Sequence, residues 1–162
     1  MKFRFLYWIG LLVAVLLADI FFPPPKVFLL SILGILFIIY GVVLNYIAGK
    51  TLKLLGHKVK TKKFSPPDKM VKAGIYSCMR HPGQFGNLMI LFGVSMLSGK
   101  VWSVIFVGWV LAFGLWFILS VEEPEGVEKF GFDYCKYKVE VPPFNFSIKC
   151  LVEGYRFLKQ IF

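Results

Sequence analysis

Long apolar stretches separated by short polar breaks dominate the chain. Phe5–Phe22 is apolar apart from Asp19, and Val27–Ala48 is apolar apart from Ser31 and Asn45. Gln84–Leu97 is a shorter run, and Val101–Val121 is a full-length one. A bilayer core takes roughly 20 apolar residues of helix at about 1.5 Å each. The pattern therefore predicts about four transmembrane helices (5–22, 27–48, 84–97 and 101–121). Pro23-Pro24-Pro25 separates the first two, because proline removes an amide donor and stops a helix. Ser98-Gly99-Lys100 reads as a tight turn between the last two. On the second span Gly34, Gly41 and Asn45 form a small, polar stripe that predicts close helix packing. Beyond Val121 the pattern changes. Val127, Phe130, Tyr134 and Tyr137 recur at helical spacing among charges, predicting an amphipathic helix over 123–137 that lies along the interface. The expected fold is an all-α integral membrane protein: about four transmembrane helices plus a cytosolic interfacial C-terminal helix, with 1–162 as one membrane-embedded domain.

Composition supports that reading. Of 162 residues, 57% are hydrophobic and 17% charged, whereas soluble domains run near 45–50% and 25%. A soluble globule of this length has too little interior for so many apolar side chains. Disorder and a disulfide-stapled secreted scaffold are excluded by the same comparison. The formal charge is +10, and its distribution is uneven. The N-terminus, the loop from Gly49 to His81 and the tail after Val121 hold 17 Lys and Arg; the two short turns hold only Lys26 and Lys100. The positive-inside rule then predicts a multi-pass protein of the cell membrane with both termini cytoplasmic. Met1–Ala18 has a basic start and an apolar run, but no small-x-small site precedes the prolines, so a retained first helix is expected. Asp19 is expected at the interface. The lysines of the loop (Lys50, Lys53, Lys58, Lys60, Lys62 and Lys63) predict contact with anionic membrane lipid, and His57 among them is expected to be solvated. The charge calls for no nucleic acid. Cys78, Cys135 and Cys150 are odd in number, lack metal-ligand spacing and are expected to be reduced and structural.

Two polar clusters fall at one depth. Arg80-His81-Pro82 opens the third span and Glu122-Glu123-Pro124 closes the fourth. Pro82 suits the first position of a helix, whose leading amides welcome an anion. Each cluster taken alone has a plain reading as interfacial anchoring, since long charged side chains snorkel at span ends. Two adjacent carboxylates at the C-terminal end of a helix have the wrong sign for its dipole, however. A bound cationic ligand, or Arg80 nearby, would resolve that.

The joined pattern is Gly74-x-Tyr76-x-x-x-Arg80-His81-Pro82-x-x-x-Gly86, then Glu122-Glu123, then Phe130-Gly131-x-x-Tyr134-x-x-Tyr137. It resembles the isoprenylcysteine carboxyl methyltransferase family, whose layout membrane phospholipid methyltransferases share. The resemblance covers about 68–142. It implies an S-adenosylmethionine-dependent membrane methyltransferase that acts by in-line transfer at the cytosolic face, with no metal, on a lipid-like or isoprenoid acceptor. It implies Arg80 and Glu122 as the catalytic pair. Cofactor contacts fall to Lys69, Met70, Val71, Tyr76, His81, Glu122 and Glu123. Gln84 replaces the family's usual tyrosine, and Ile118 stands where prenylcysteine-type members tend to carry arginine. These two positions are the expected acceptor contacts. The stretch Val139-Glu140-Val141-Pro142-Pro143 likewise lacks the arginine often found there. The acceptor is therefore expected to be less acidic than a prenylcysteine carboxylate. The alternatives are a phospholipid-type N-methyltransferase, and a non-catalytic membrane binding or structural protein that keeps the fold.

Overall fold

The computed structural model describes residues 2–21, 26–57 and 67–161. Pro23-Pro24-Pro25, Lys58, Lys60, Lys62, Lys63 and the side chain of Asp19 lie outside the described residues. Among the described residues the regular structure is helical, apart from one isolated bridge between Lys26 and Lys100. The helices are α1 (Lys2–Phe21), α2 (Phe28–Leu55), α3 (Pro82–Leu97), α4 (Val101–Phe117), α5 (Glu123–Phe130), α6 (Phe132–Glu140) and α7 (Ile148–Ile161). A 3-10 turn spans Gly74–Ser77, and a π-helical turn, Ile118–Glu122, follows α4. The chain divides into two units, Met1–Val42 with Gly86–Val121, and Val43–Phe85 with Glu122–Phe162.

In the first unit, Val15, Leu91, Val107 and Val110 form a buried apolar cluster. Tyr7 stacks on Phe117 at 4.3 Å, and its hydroxyl donates to the Phe113 carbonyl at 2.6 Å. The predicted small-residue stripe is a close helix crossing. A Cβ on Gly34 would lie 2.6 Å from the Gly93 carbonyl oxygen, and one on Gly41 would lie 2.5 Å from that of Gly86. Only glycine permits this approach. The turn after α3 is as expected. Gly99, at φ 70°, accepts at its carbonyl from Val27 N at 2.8 Å, and Ser31 Oγ donates to Leu97 O at 3.0 Å. The two turns that carry Lys26 and Lys100 are thereby fastened to each other at one end of this unit.

Among the described residues two helical stretches, Phe28–Leu55 and Val107–Phe130, are long and apolar enough to cross a membrane. The outward surface fits: Leu36, Ile39 and Val42 on α2, with Trp109, Phe113 and Trp116 on α4, are all exposed. An apolar exterior on this scale calls for lipid or for a partner surface.

In the second unit α7 packs on the 3-10 turn. A Cβ on Gly154 would sit 2.9 Å from Ile75 Cβ. Cys150, Gly154 and Leu158 face inward at four-residue spacing. This helix is absent from the sequence expectation, although its buried residues follow a helical period. The cysteine expectation also needs correction. Cys78 and Cys150 form a disulfide with Cα atoms 6.0 Å apart, while Cys135 is free and exposed. Their separation of 72 residues concealed a proximity that only the docking of α7 on the 3-10 turn creates. His57 is not solvated: its side chain is 10% exposed, with Nδ1 3.6 Å from Asp68 Oδ2. The expected single helix over 123–137 is two, α5 and α6. Gly131, at φ 59° and ψ −137°, breaks it in a backbone conformation that side-chain-bearing residues rarely adopt.

Candidate cofactor site

The site is assembled from the start of α3 and the start of α5. The Arg80 and His81 amides donate to the carbonyls of Pro142 and Pro143 at 3.0 and 3.1 Å. Pro142 and Pro143 have no N–H, so this extended segment offers acceptors alone. Arg80 is buried, and every guanidinium nitrogen is engaged. Nε and Nη2 each lie 2.9 Å from Glu123 Oε1. Nη1 donates to the carbonyls of Lys138 (2.5 Å) and Val141 (2.6 Å). His81 Nε2 is 2.8 Å from Glu123 Oε1, and Lys138 Nζ is 2.7 Å from Glu123 Oε2. Glu123 is only 1% exposed and is held by three cations. Glu122 is differently placed: its Oε2 lies 3.5 Å from His81 Nδ1.

The adverse helix dipole expected at Glu122-Glu123 does not arise. The π-helical turn runs straight into α5, so the pair lies inside a helical stretch that continues to Phe130, not at its C-terminal end. Pro124 sits within the helical stretch just past the π-helical turn and does not end it.

Charge coupling follows from these distances. Burial opposes protonation of His81, but hydrogen bonds to Glu122 and Glu123 outweigh it and raise its pKa above 6.5. Burial alone would raise Glu123. Hydrogen bonds from His81 and Lys138, with the charge of Arg80, hold it down at about 2. The His81 contribution to stability is full below pH 6.5 and is lost as pH rises through its raised value. The Glu123 contribution is full above pH 4.5 and is lost as pH falls through about 2. The cluster should be most stabilising between pH 4.5 and 6.5. Melting of the detergent-solubilised protein should show a decline above that window, absent in His81→Gln. An unchanged alkaline decline in the variant would place its origin elsewhere.

Tyrosines stand around the cluster. The Tyr137 hydroxyl donates to the Tyr76 carbonyl at 2.5 Å. Burial, reinforced by Glu123, pushes Tyr134 up to about 12, and burial also raises Tyr76 and Tyr137. All three remain neutral donors at physiological pH. Phe144 lies beside His81 and Phe85, with ring centroids at 6.4 and 5.4 Å. Phe146 meets Phe85 edge-on at 4.6 Å.

The structure thus brings together Arg80, His81, Glu122 and Glu123 from the sequence expectation, and buries Tyr76 in the same unit. Lys69 is exposed, Met70 half-buried and Val71 buried. The Asp68 and Lys69 amides both donate to the Gly56 carbonyl, fastening this stretch to the end of α2. Gln84 is half-buried in the first turn of α3, and Ile118 is fully buried in the π-helical turn. Sequence reasoning missed Lys138 and the acceptor role of Val141–Pro143. The Pro-Pro pair was the legible signal, since it fixes an extended strand of carbonyls. With His81 protonated, three cations face two carboxylates, and the leading amides of α3 lie alongside. Such a site offers a carboxylate to a cationic or hydroxylic group, and positive charge to an anionic one.

The fold and site define a helical, lipid-adapted protein built around a buried Arg-His-Glu-Glu cluster. A family model described as phospholipid methyltransferase matches residues 29–132. The chain belongs to this phospholipid methyltransferase family, on its isoprenylcysteine methyltransferase-like side. Among similar proteins is the protein-S-isoprenylcysteine O-methyltransferase of Saccharomyces cerevisiae, 33% identical over 138 residues (78% of this chain, 56% of the relative). The Xenopus laevis protein of the same name is 32% identical over 126 residues (74% of this chain, 43% of the relative). The chain spans about half the length of these curated relatives. No solved structure matches.

Proposed function

We propose that this protein is an S-adenosylmethionine-dependent membrane methyltransferase acting on a lipid-like or prenylated small acceptor. The observation that carries the reading is the buried Glu122-Glu123 pair bound by Arg80 and His81, in a chain of a methyltransferase family. Four spans with both ends cytosolic suit the charge distribution and put this cluster on the cytosolic side.

The residues fit the cofactor, a zwitterion with ribose hydroxyls. Glu122 would bind the ammonium or the hydroxyls. The leading amides of α3 and the surplus positive charge would take the carboxylate. S-Adenosylmethionine, when bound, supplies an electrophilic methyl group on a sulfonium sulfur. The protein's own part is positioning and exclusion of water. Glu123 fixes His81, which in turn orients Glu122; Arg80 holds the start of α3 to the end of α6. Phe144 packs against His81 and Phe85 beside the cluster. A thiolate or carboxylate acceptor needs no general base there, whereas an amine must arrive neutral.

A second reading, N-methylation of a phospholipid amine, is favoured by the description of the matching family and by Ile118. An isoleucine cannot pair with an acceptor carboxylate. The test is methyl transfer from tritiated S-adenosylmethionine in detergent, comparing farnesylcysteine analogues with amine and thiol amphiphiles. Transfer to a less acidic amphiphile should exceed transfer to the farnesylcysteine acid. Robust turnover of the acid would show that another cation does the work assigned to the missing arginine. Failure to bind S-adenosylmethionine at all would leave a non-catalytic membrane protein.

A further inference from the structure

The cofactor site makes no use of the cleft that α2 and α7 form together. Each helix carries the same pair at four-residue spacing: Tyr46 with Lys50 on α2, and Tyr155 with Lys159 on α7. All four line one cleft of about 160 Å³, together with Leu158. Lys50 Nζ stands 5.7 Å from the centre of the Tyr46 ring. Both tyrosines are more than half exposed, at 57% and 56%. No lining residue is acidic. The walls are fixed in place. A Cβ on Gly154 would come 3.1 Å from Ile47, so α7 meets α2 at close range, and the Cys78–Cys150 disulfide ties the first turn of α7.

Two lysines lining one opening attract an anion. The depth of the cleft says which kind. Lys50 is the first charged residue after the apolar run of α2, which ends at Ala48 and Gly49. With α2 as a span, the cleft lies at the level of tyrosine belts and lipid phosphates.

We infer that this cleft seats the phosphate of an anionic phospholipid. Lys50 and Lys159 bind the phosphate, and the two tyrosine rings flank the glycerol and the start of the acyl chains. A lipid whose headgroup adds a cation beyond the phosphate repels the lysines, so phosphatidylglycerol is preferred over phosphatidylcholine. The inference rests on α2 crossing the membrane and is independent of methyl transfer. The requirement for detergent to extract the protein tests the span separately.

The experiment is native mass spectrometry of the full chain in detergent, titrated with phosphatidylglycerol, phosphatidylcholine or inorganic phosphate. Near a membrane surface each lysine contributes roughly a fivefold factor toward anionic lipid, so K50Q/K159Q should weaken phosphatidylglycerol binding roughly thirtyfold. K53Q/K149Q removes equal charge from exposed positions on the same two helices and should leave binding unchanged. Equal loss in both double variants would overturn the site in favour of general electrostatics. Displacement of the lipid by inorganic phosphate would overturn the lipid as occupant. Equal retention of phosphatidylcholine by the wild type would overturn the headgroup selectivity.

Discussion

Arg80→Ala should destabilise the protein by about 3–5 kcal/mol, the range seen when one partner of a buried charge pair is removed. At roughly 2–4 °C per kcal/mol for a chain of this size, the melting midpoint should fall by about 6–20 °C. The reason is geometric. Loss of the guanidinium takes two contacts from the buried Glu123 and leaves the part-buried carbonyls of Lys138 and Val141 without their donor. Arg80→Lys should recover little. One ammonium on a flexible stem cannot span a carboxylate and two carbonyls, whereas the planar fork does so without reorganising. The measurement is tryptophan fluorescence during heating in detergent, with S-adenosylmethionine binding followed in parallel. A small change in melting with complete loss of cofactor binding would show that Arg80 faces the ligand, as the family resemblance alone implies. Its contacts join the start of α3, the start of α5 and the end of α6, which suits a positioning role.

Much of this was legible in the residues, and the limits were physical. The apolar runs identified α1 to α4 because long, uninterrupted apolar helices carry their signal in composition. Gly34 and Gly41 announced the α2–α3 crossing because only small residues allow backbones so close. Ser98-Gly99-Lys100 announced its turn because Gly99 needs a positive φ. The π-helical turn at Ile118–Glu122 had no local signature. A π-helical turn is an insertion into an α-helix, recognised by hydrogen bonds and not by residue type. For that reason Pro124 read as a stop, and the carboxylate pair was placed at the end of a helical stretch that continues to Phe130. The disulfide and the Lys138 contact join residues far apart in sequence. Lys138 Nζ reaches Glu123 Oε2 only because Gly131 redirects the chain between α5 and α6. In the candidate site the charged residues were legible as a set, while the division of labour between the two glutamates was not.

That division gives the second expected result. Glu122→Gln should lower S-adenosylmethionine affinity by at least about tenfold, since truncating a desolvated charged hydrogen bond costs about 2–5 kcal/mol. It should move the melting midpoint less than Glu123→Gln does, because the ion pairs of Arg80 and Lys138 run to Glu123, while Glu122 meets His81. Glu123→Gln should do the reverse in order of cause. An amide cannot satisfy Arg80, His81 and Lys138 together, so the fold around the site loosens first and affinity falls as a consequence. Glu125→Gln, exposed on the first turn of α5, should change neither quantity. The comparison needs equilibrium dialysis with labelled S-adenosylmethionine and a melting curve for each variant. If Glu122→Gln binds the cofactor as well as Glu125→Gln does, Glu122 is not the ligand. The ammonium would then have to be met by another acceptor near the α3 start, and the Pro142 and Pro143 carbonyls are already donated to by the Arg80 and His81 amides. If both Glu122→Gln and Glu123→Gln lose affinity only in proportion to lost stability, the pair acts as a single structural anchor. A selective loss at Glu122, with melting less affected than in Glu123→Gln, is the outcome that the separation between its carboxylate and the saturated Glu123 requires.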